Sequence, residues 1–111
     1  MNDCIFCKII NDEIPSQKVF EDEHLVVFKD ISPKAPVHLL VVPRKHIASL
    51  NEADESDREL MAHVMLTIPK IAEQAGLQAG YRTVLNTGKG GGQEVFHIHF
   101  HVLGGGPMPF A

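Results

Sequence analysis

Apolar residues recur along this chain with two periods, and the switches between them mark the elements. Ile5, Phe6, Ile9 and Ile10 have the spacing of a short helix, with Asp3 placed as its N-cap and Pro15 beyond its end. Lys18–Glu21 and Leu25–Lys29 are strand-like runs separated by Asp22-Glu23-His24, which predicts a hairpin. The prolines of Ser32-Pro33-Lys34-Ala35-Pro36 deny donors to helix or ladder, so this stretch is a loop. Val37 to Val42 reads as a buried strand stopped by Pro43. Ser56-Asp57-Arg58-Glu59 has the form of a capping box, a hydroxyl at N-cap and Glu at N3. Leu60, Met61, Val64, Met65, Ile68, Ile71, Ala72 and Ala75 follow at helical spacing, with Gly76 as the stop. Pro69 lies inside this helix and predicts a kink. Arg82 to Asn86 is a further strand, Gly88 to Gly92 a glycine loop, and Val95 to Leu103 an alternating strand. Five strands with one long and one short helix predict an α+β fold, an antiparallel sheet carrying packed helices.

Composition narrows the function classes. Of 111 residues, 44% are hydrophobic and 22% charged, which is globular. Residues 1–111 read as a single domain, with 104–111 an irregular tail of Gly and Pro. Ten basic against fourteen acidic residues give a net charge of −4 without a basic block, so no nucleic-acid partner is expected. No apolar run approaches the ~20 residues of a membrane span. The start, Met1-Asn2-Asp3-Cys4, lacks the features of a signal peptide, so a cytoplasmic location with reduced cysteines is the expectation. An unpaired strand edge and an apolar helix face predict a homodimer. Leu60, Val64 and Ile68 are candidates for that interface or for packing on the chain's own sheet.

Candidate chemistry concentrates near the C-terminal end. His97, His99 and His101 alternate within the last strand, which would place all three on one face, with Phe96, Ile98, Phe100 and Val102 toward the core. Two readings stand open: imidazoles at i and i+2 binding one metal ion, or one imidazole acting as nucleophile while its neighbours set tautomer and donate protons. The preceding Gly88-Lys89-Gly90-Gly91-Gly92-Gln93 offers backbone N–H groups without Cβ obstruction, an expected anion site. It is neither a P-loop nor a dinucleotide fingerprint, because a strand follows it instead of a helix.

Gly91 to Gly105, containing His97-Ile98-His99-Phe100-His101-Val102-Leu103, resembles the His-φ-His-φ-His-φ-φ signature of the histidine triad (HIT) family. Ile5-Phe6-Cys7-Lys8-Ile9-Ile10, Phe28-Lys29-Asp30-Ile31-Ser32-Pro33 and Ala35-Pro36-Val37-His38 are similar to its Hint-like branch. The resemblance implies a homodimeric nucleotide-binding hydrolase that cleaves the P–N bond of purine nucleoside phosphoramidates, with AMP or GMP as ligands. By the same resemblance His99 is the nucleophile, and His101 contacts a phosphate oxygen and helps to protonate the amine. His38 orients the nucleophilic ring, and His97 is the remaining triad member. Asn86 and Gln93, with Gly92 of the glycine loop, match positions that hold the phosphate and bridging atom. Asp30 takes the ribose hydroxyls, and Ile5, Phe6, Ile9, Phe28 and Ile31 form the base slot. Glu94 stands where some members carry a Ser that touches the leaving group. Within the family a dinucleoside polyphosphate hydrolase or nucleotidyl transferase is the alternative. From another class, a nucleotide-binding regulator with residual turnover uses the same residues.

Cys4-Ile5-Phe6-Cys7 is a C-x-x-C pair, which in a reducing compartment argues for metal or redox chemistry, against two small packed hydrophobes as the alternative. His46 and His97 match positions that complete a zinc site in some family members. Such a zinc with Cys4, Cys7, His46 and His97 would be structural, since four protein ligands leave no position for water, and catalysis would require no cofactor. His24 reads as a hairpin-tip residue, and His63 carries no motif.

Overall fold

The computed structural model describes residues 3–108. The chain runs α1 (Ile5–Ile10), β1 (Lys18–Glu21), β2 (Leu25–Lys29), β3 (Val37–Pro43), α2 (Arg58–Gln74), β4 (Tyr81–Val84) and β5 (Phe100–Gly104), with short 3-10 turns between. The strands form one antiparallel sheet in the order β1-β2-β3-β5-β4. The expected α+β arrangement of five strands with one long and one short helix is therefore what forms.

Alternation along the strands divides the core in two. Leu25, Val27, Leu39, Val41, Phe100 and Val102 meet Val64, Ile68, Ile71 and Ala72 of α2 on one face. Val26, Phe28, Leu40 and Val42 meet Phe6, Ile9 and Ile10 of α1 on the other. Each fully buried Val or Leu contributes about 1.5–3 kcal/mol of transfer free energy, so both layers count. Val64 and Ile68 thus lie in the chain's own core, the second of the two places open to them. The large apolar residues of α2 left exposed are Met65 and Leu66.

The helix ends differ from the sequence reading. Cys4, not Asp3, caps α1: its Sγ accepts the Cys7 N–H at 3.2 Å. The capping box before α2 is built from Asp54 and Asp57 rather than from Ser56 and Glu59. A carboxylate at N3 serves that function as well as Glu does, and Asp57 is additionally held by Lys45 Nζ. Helix α2 remains continuous across Pro69; the Met65 carbonyl, which loses its partner, sits on the solvent side. The helix stops as expected: Gly76 has φ +82°, and the Gly76 and Leu77 N–H groups close back on Glu73 and Ala72.

Two strands are shorter than their patterns. β4 ends at Val84 instead of reaching Asn86, and β5 begins only at Phe100. Residues 95–99 lie outside the ladder: the backbone bends at 95–97, and Val41↔Phe100 is the last pair between β3 and β5. Ile98 reaches back to the Ile47 carbonyl instead, at 2.7 Å. Phe96 is accordingly 48% exposed and not in the core. Gly104 belongs to β5 rather than to an irregular tail; a Cβ there would lie 2.9 Å from Leu77 Cδ2. The end of the expected tail, 109–111, lies outside the described residues. Among the described residues, no helix is long and apolar enough to cross a membrane.

Candidate active site

A cavity of about 630 Å3 opens on the α1 face of the sheet. His38 on β3 and His101 on β5 project to this face, since His38 stands opposite Leu103 and His101 opposite Leu40. The cavity collects His38, His99, His101, Asp30, Asn86, Gly92 and Glu94, together with Ile5, Phe6, Ile9, Phe28 and Ile31. Nearly every residue marked for substrate binding thus converges there, from four separate segments: 5–9, 28–31, 86 and 92–94. Phe6 stands edge-on to both Phe28 and His99, with centroids 5.5 and 4.9 Å apart, so the slot has an aromatic wall beside an imidazole. Ile31 is 97% exposed at the rim. A second cavity of about 660 Å3, between the end of α2, β4 and residues 105–108, has Tyr81 and Arg82 among its lining residues and no His, Cys or acidic side chain.

Two expected residues lie elsewhere. Gln93 is 5% exposed and outside the cavity wall, with its carboxamide bonded to Gly88, Ala48 and Val95. His97 is fully buried and does not line the cavity; its ring stands edge-on to Phe6, as that of His99 does, and points its Nδ1 at the cysteines of α1. The glycine turn also differs from an open ring of donors. The N–H groups of Gly88, Gly91, Gly92 and Gln93 are all engaged within the turn. The backbone N–H groups of Glu94 and Val95, both on the cavity wall, have no partner among the described residues.

Backbone groups set the tautomer of each histidine. The Lys34 N–H donates to His38 Nδ1 at 3.0 Å, so neutral His38 carries its proton on Nε2. That Nε2–H donates to His101 Nδ1 at 2.9 Å, which leaves the His101 proton on Nε2. His99 Nδ1–H donates to the His97 carbonyl at 2.8 Å, leaving the Nε2 lone pair unshared. His97 Nε2–H donates to the Pro43 carbonyl at 2.7 Å, so its Nδ1 lone pair faces Cys4, Cys7 and His46. Neither Lys34 nor Pro43 was visible as a functional residue in the sequence, because each acts through its main chain.

Electrostatics keep the rings neutral. Burial lowers the pKa of His38, His97 and His99. Burial, then His99 and His38, push His101 down to about 4. Asp30 acts in the opposite sense, with Oδ2 at 3.5 Å from His38 Nε2, while its Oδ1 accepts the Ser32 N–H at 2.8 Å. Asp30, His38 and His101 lie close enough to be considered for a metal. The proton that Lys34 forces onto His38 Nε2 makes that atom a donor instead of a ligand.

Cys4, Cys7, His46 and His97 form a separate group that could hold a metal ion. Their ligand atoms are spaced 3.1 Å for His46 Nδ1–His97 Nδ1, 3.3 Å for Cys4 Sγ–His97 Nδ1 and 3.4 Å for Cys7 Sγ–His46 Nδ1. A tetrahedral ion with sulfur at ~2.3 Å and nitrogen at ~2.0–2.1 Å requires edges of this size. Burial raises the Cys4 thiol pKa, a cost that a bound cation removes by stabilising the thiolate. His63, to which the sequence assigned nothing, bonds Asp22 at 2.8 Å and stands edge-on to His24, tying the β1–β2 hairpin to α2.

Residues 3–110 match the family profile described as scavenger mRNA decapping enzyme C-term binding. The chain is 53% identical over 104 residues to Protein HitA of Neisseria gonorrhoeae, covering 94% of this chain and 97% of that one. It belongs to the histidine triad family. A solved HIT family hydrolase from Legionella pneumophila superposes with a TM-score of 0.94 at 50% identity, covering 97% of both chains. A histidine triad nucleotide-binding protein from Candida albicans superposes at 0.83 with 32% identity, over 98% of this chain and 85% of that one. Family membership gives the triad its context, and the hydrogen bonds show that its three rings occupy two centres, one at the cavity and one at the cysteines.

Proposed function

We propose that this protein is a nucleotide-binding hydrolase that cleaves the P–N bond of purine nucleoside phosphoramidates through a nucleotidyl–histidine intermediate. The state of His99 carries the reading: a neutral imidazole, 7% exposed, with Nδ1–H tied to the His97 carbonyl and Nε2 free at the cavity. An imidazole held in this tautomer is a nucleophile near pH 7 without a separate base. The names of the Legionella hydrolase and the Candida nucleotide-binding protein support the broader part of the reading.

The base enters the slot of Phe6, Ile9, Phe28, Ile5 and Ile31, and Asp30 accepts from the ribose hydroxyls. His99 Nε2 attacks the α-phosphorus, the P–N bond breaks, and the departing nitrogen takes one proton. Neutral His101 donates its Nε2–H to a phosphoryl oxygen, an orientation imposed by His38. Because burial keeps His101 a neutral imidazole at pH 7, the protonation of the amine that the resemblance gave to this ring falls to solvent. Water then attacks phosphorus, His99 leaves, and the proton from water restores the balance. Glu94 and Asn86 border the leaving-group side, and the N–H groups of Glu94 and Val95 receive phosphoryl oxygens.

The metal group is assigned to zinc, since two thiolates and two imidazoles suit that ion. With four protein ligands it would clamp α1 to the segment before β5 and supply structural rigidity, not a reaction step. The 111 residues are read as one domain, acting as a homodimer in the cytoplasm on AMP- or GMP-type nucleotides.

The test compares an adenosine phosphoramidate, a diadenosine polyphosphate and a nucleotide ester with wild type and His99→Ala. The phosphoramidate should turn over fastest, and mass spectrometry should find the adenylyl group on His99. His99→Ala should lose roughly 10³-fold or more of the rate while still binding AMP. Near-normal turnover in His99→Ala would refute the nucleophile, and a faster polyphosphate would move the substrate class to the family's dinucleoside hydrolases.

A further inference from the structure

We infer that Gln93 is a positioning residue for phosphate recognition: it braces the glycine turn and the Glu94–Val95 backbone as a preformed anion cradle without touching the ligand. The inference rests on the nucleotide reading above and deepens it.

Four hydrogen bonds carry the argument. The Gln93 backbone N–H donates to the Gly88 carbonyl at 3.1 Å, and the Gly88 N–H donates to Gln93 Oε1 at 2.8 Å. Gln93 Nε2 donates to the Ala48 carbonyl at 2.7 Å and to the Val95 carbonyl at 3.0 Å. Both amide hydrogens are thereby occupied, and the side chain keeps no donor for a phosphate. The carboxamide instead joins the turn, the segment that follows it and the loop after β3.

That joining matters because of what the turn is made of. Gly88, Gly90, Gly91 and Gly92 lose more conformational entropy on ordering than any other residue type. Gly88 and Gly92 also sit at φ +74° and +87°, where other side chains are strained. Such a turn has little beyond its hydrogen bonds to hold one shape. The two unpartnered N–H groups on the cavity wall, Glu94 and Val95, immediately follow Gln93. Its bonds to Gly88 and Val95 fix both sides of the backbone that carries them. Donors fixed before the ligand arrives need no reorganisation when it binds. The bond to Ala48 anchors the cradle to the loop that also presents His46.

The discriminating variant is Gln93→Met, which keeps length and apolar volume and removes all three side-chain bonds. Calorimetry on the full chain with AMP and with adenosine separates the phosphate from the nucleoside. The AMP dissociation constant should rise at least about tenfold, while that of adenosine changes by less than about twofold. Turnover of the phosphoramidate should show a raised KM, and the His99 adduct should still form. A folded Gln93→Met with unchanged AMP affinity, or with both ligands weakened equally, overturns the proposal. A wild type that binds neither ligand overturns the nucleotide reading and this inference together. If the variant does not fold, amide exchange in the wild type decides. Gly88 should be protected with and without AMP, and Glu94 and Val95 should gain protection only when AMP binds. Free exchange at Gly88 refutes the brace.

Discussion

His101 links the site to stability in a way that can be titrated. Burial first, and then His99 and His38, hold its folded pKa at about 4 against 6.5 for the ordinary ring. Between those values the unfolded chain binds a proton that the native protein excludes, so stability falls as pH falls through this window and is complete above 6.5. The full displacement corresponds to ~3 kcal/mol. The ring borders an open cavity, and solvent screening reduces this to roughly 1–2 kcal/mol. More than half of that should be gone by pH 5. His38, His97 and His99 are displaced in the same direction and add to the wild-type loss, so the contribution of His101 must be read as a difference. Urea unfolding at pH 7 and pH 5, with a chelator present to remove metal effects, gives that difference between wild type and His101→Gln. The wild type should lose about 1 kcal/mol more than the variant over this interval. Equal losses would show that His101 is not held neutral by the fold, and the assignment of the amine's proton to solvent would fail with it.

Two further outcomes follow from the metal group and the exposed surfaces. Chelation should lower Tm by several degrees while activity, measured where the apo protein is still folded, changes by less than about twofold, because a four-ligand ion has no open position. A folded, inactive apo protein restored by one equivalent of zinc would refute the structural assignment. Light scattering at micromolar concentration should report twice the 12.3 kDa chain mass, with Met65 and Leu66 of α2 as the covered apolar residues; a 12.3 kDa species would refute the homodimer.

Most of the fold was legible because its signals are periodic. Leu25 to Lys29 and Val37 to Val42 are apolar on both faces, and both faces are in fact covered, by α1 and α2. What escaped was the competition between neighbours of similar chemistry. Asp54 and Asp57 form the capping box ahead of Ser56 and Glu59 because Lys45 from a distant loop pairs with Asp57, which no local pattern records. The last strand was read five residues too long at its start for a related reason. Val95 to Phe100 alternates as a strand does, but alternation reports only an extended backbone with two environments. β3 runs on to Pro43, but the other segment bends at 95–97 and no pair forms beyond Val41↔Phe100.

The same distinction explains the division of the triad. Identical side chains at i, i+2 and i+4 read as one row, yet the three rings serve two centres. With the ladder absent before Phe100, His97 turns to the Pro43 carbonyl, taking up a backbone acceptor that no strand partner occupies. Its own carbonyl is then free to fix His99, and its Nδ1 faces the cysteines. His97 therefore belongs chemically to the metal group and reaches the cavity only through its main chain. A substitution such as His97→Ala removes the ring from the cysteines but leaves the carbonyl that sets the His99 tautomer. The ring and the main chain of one residue thus serve different centres, so a metal held at the cysteines would brace the segment before β5 without sharing His99.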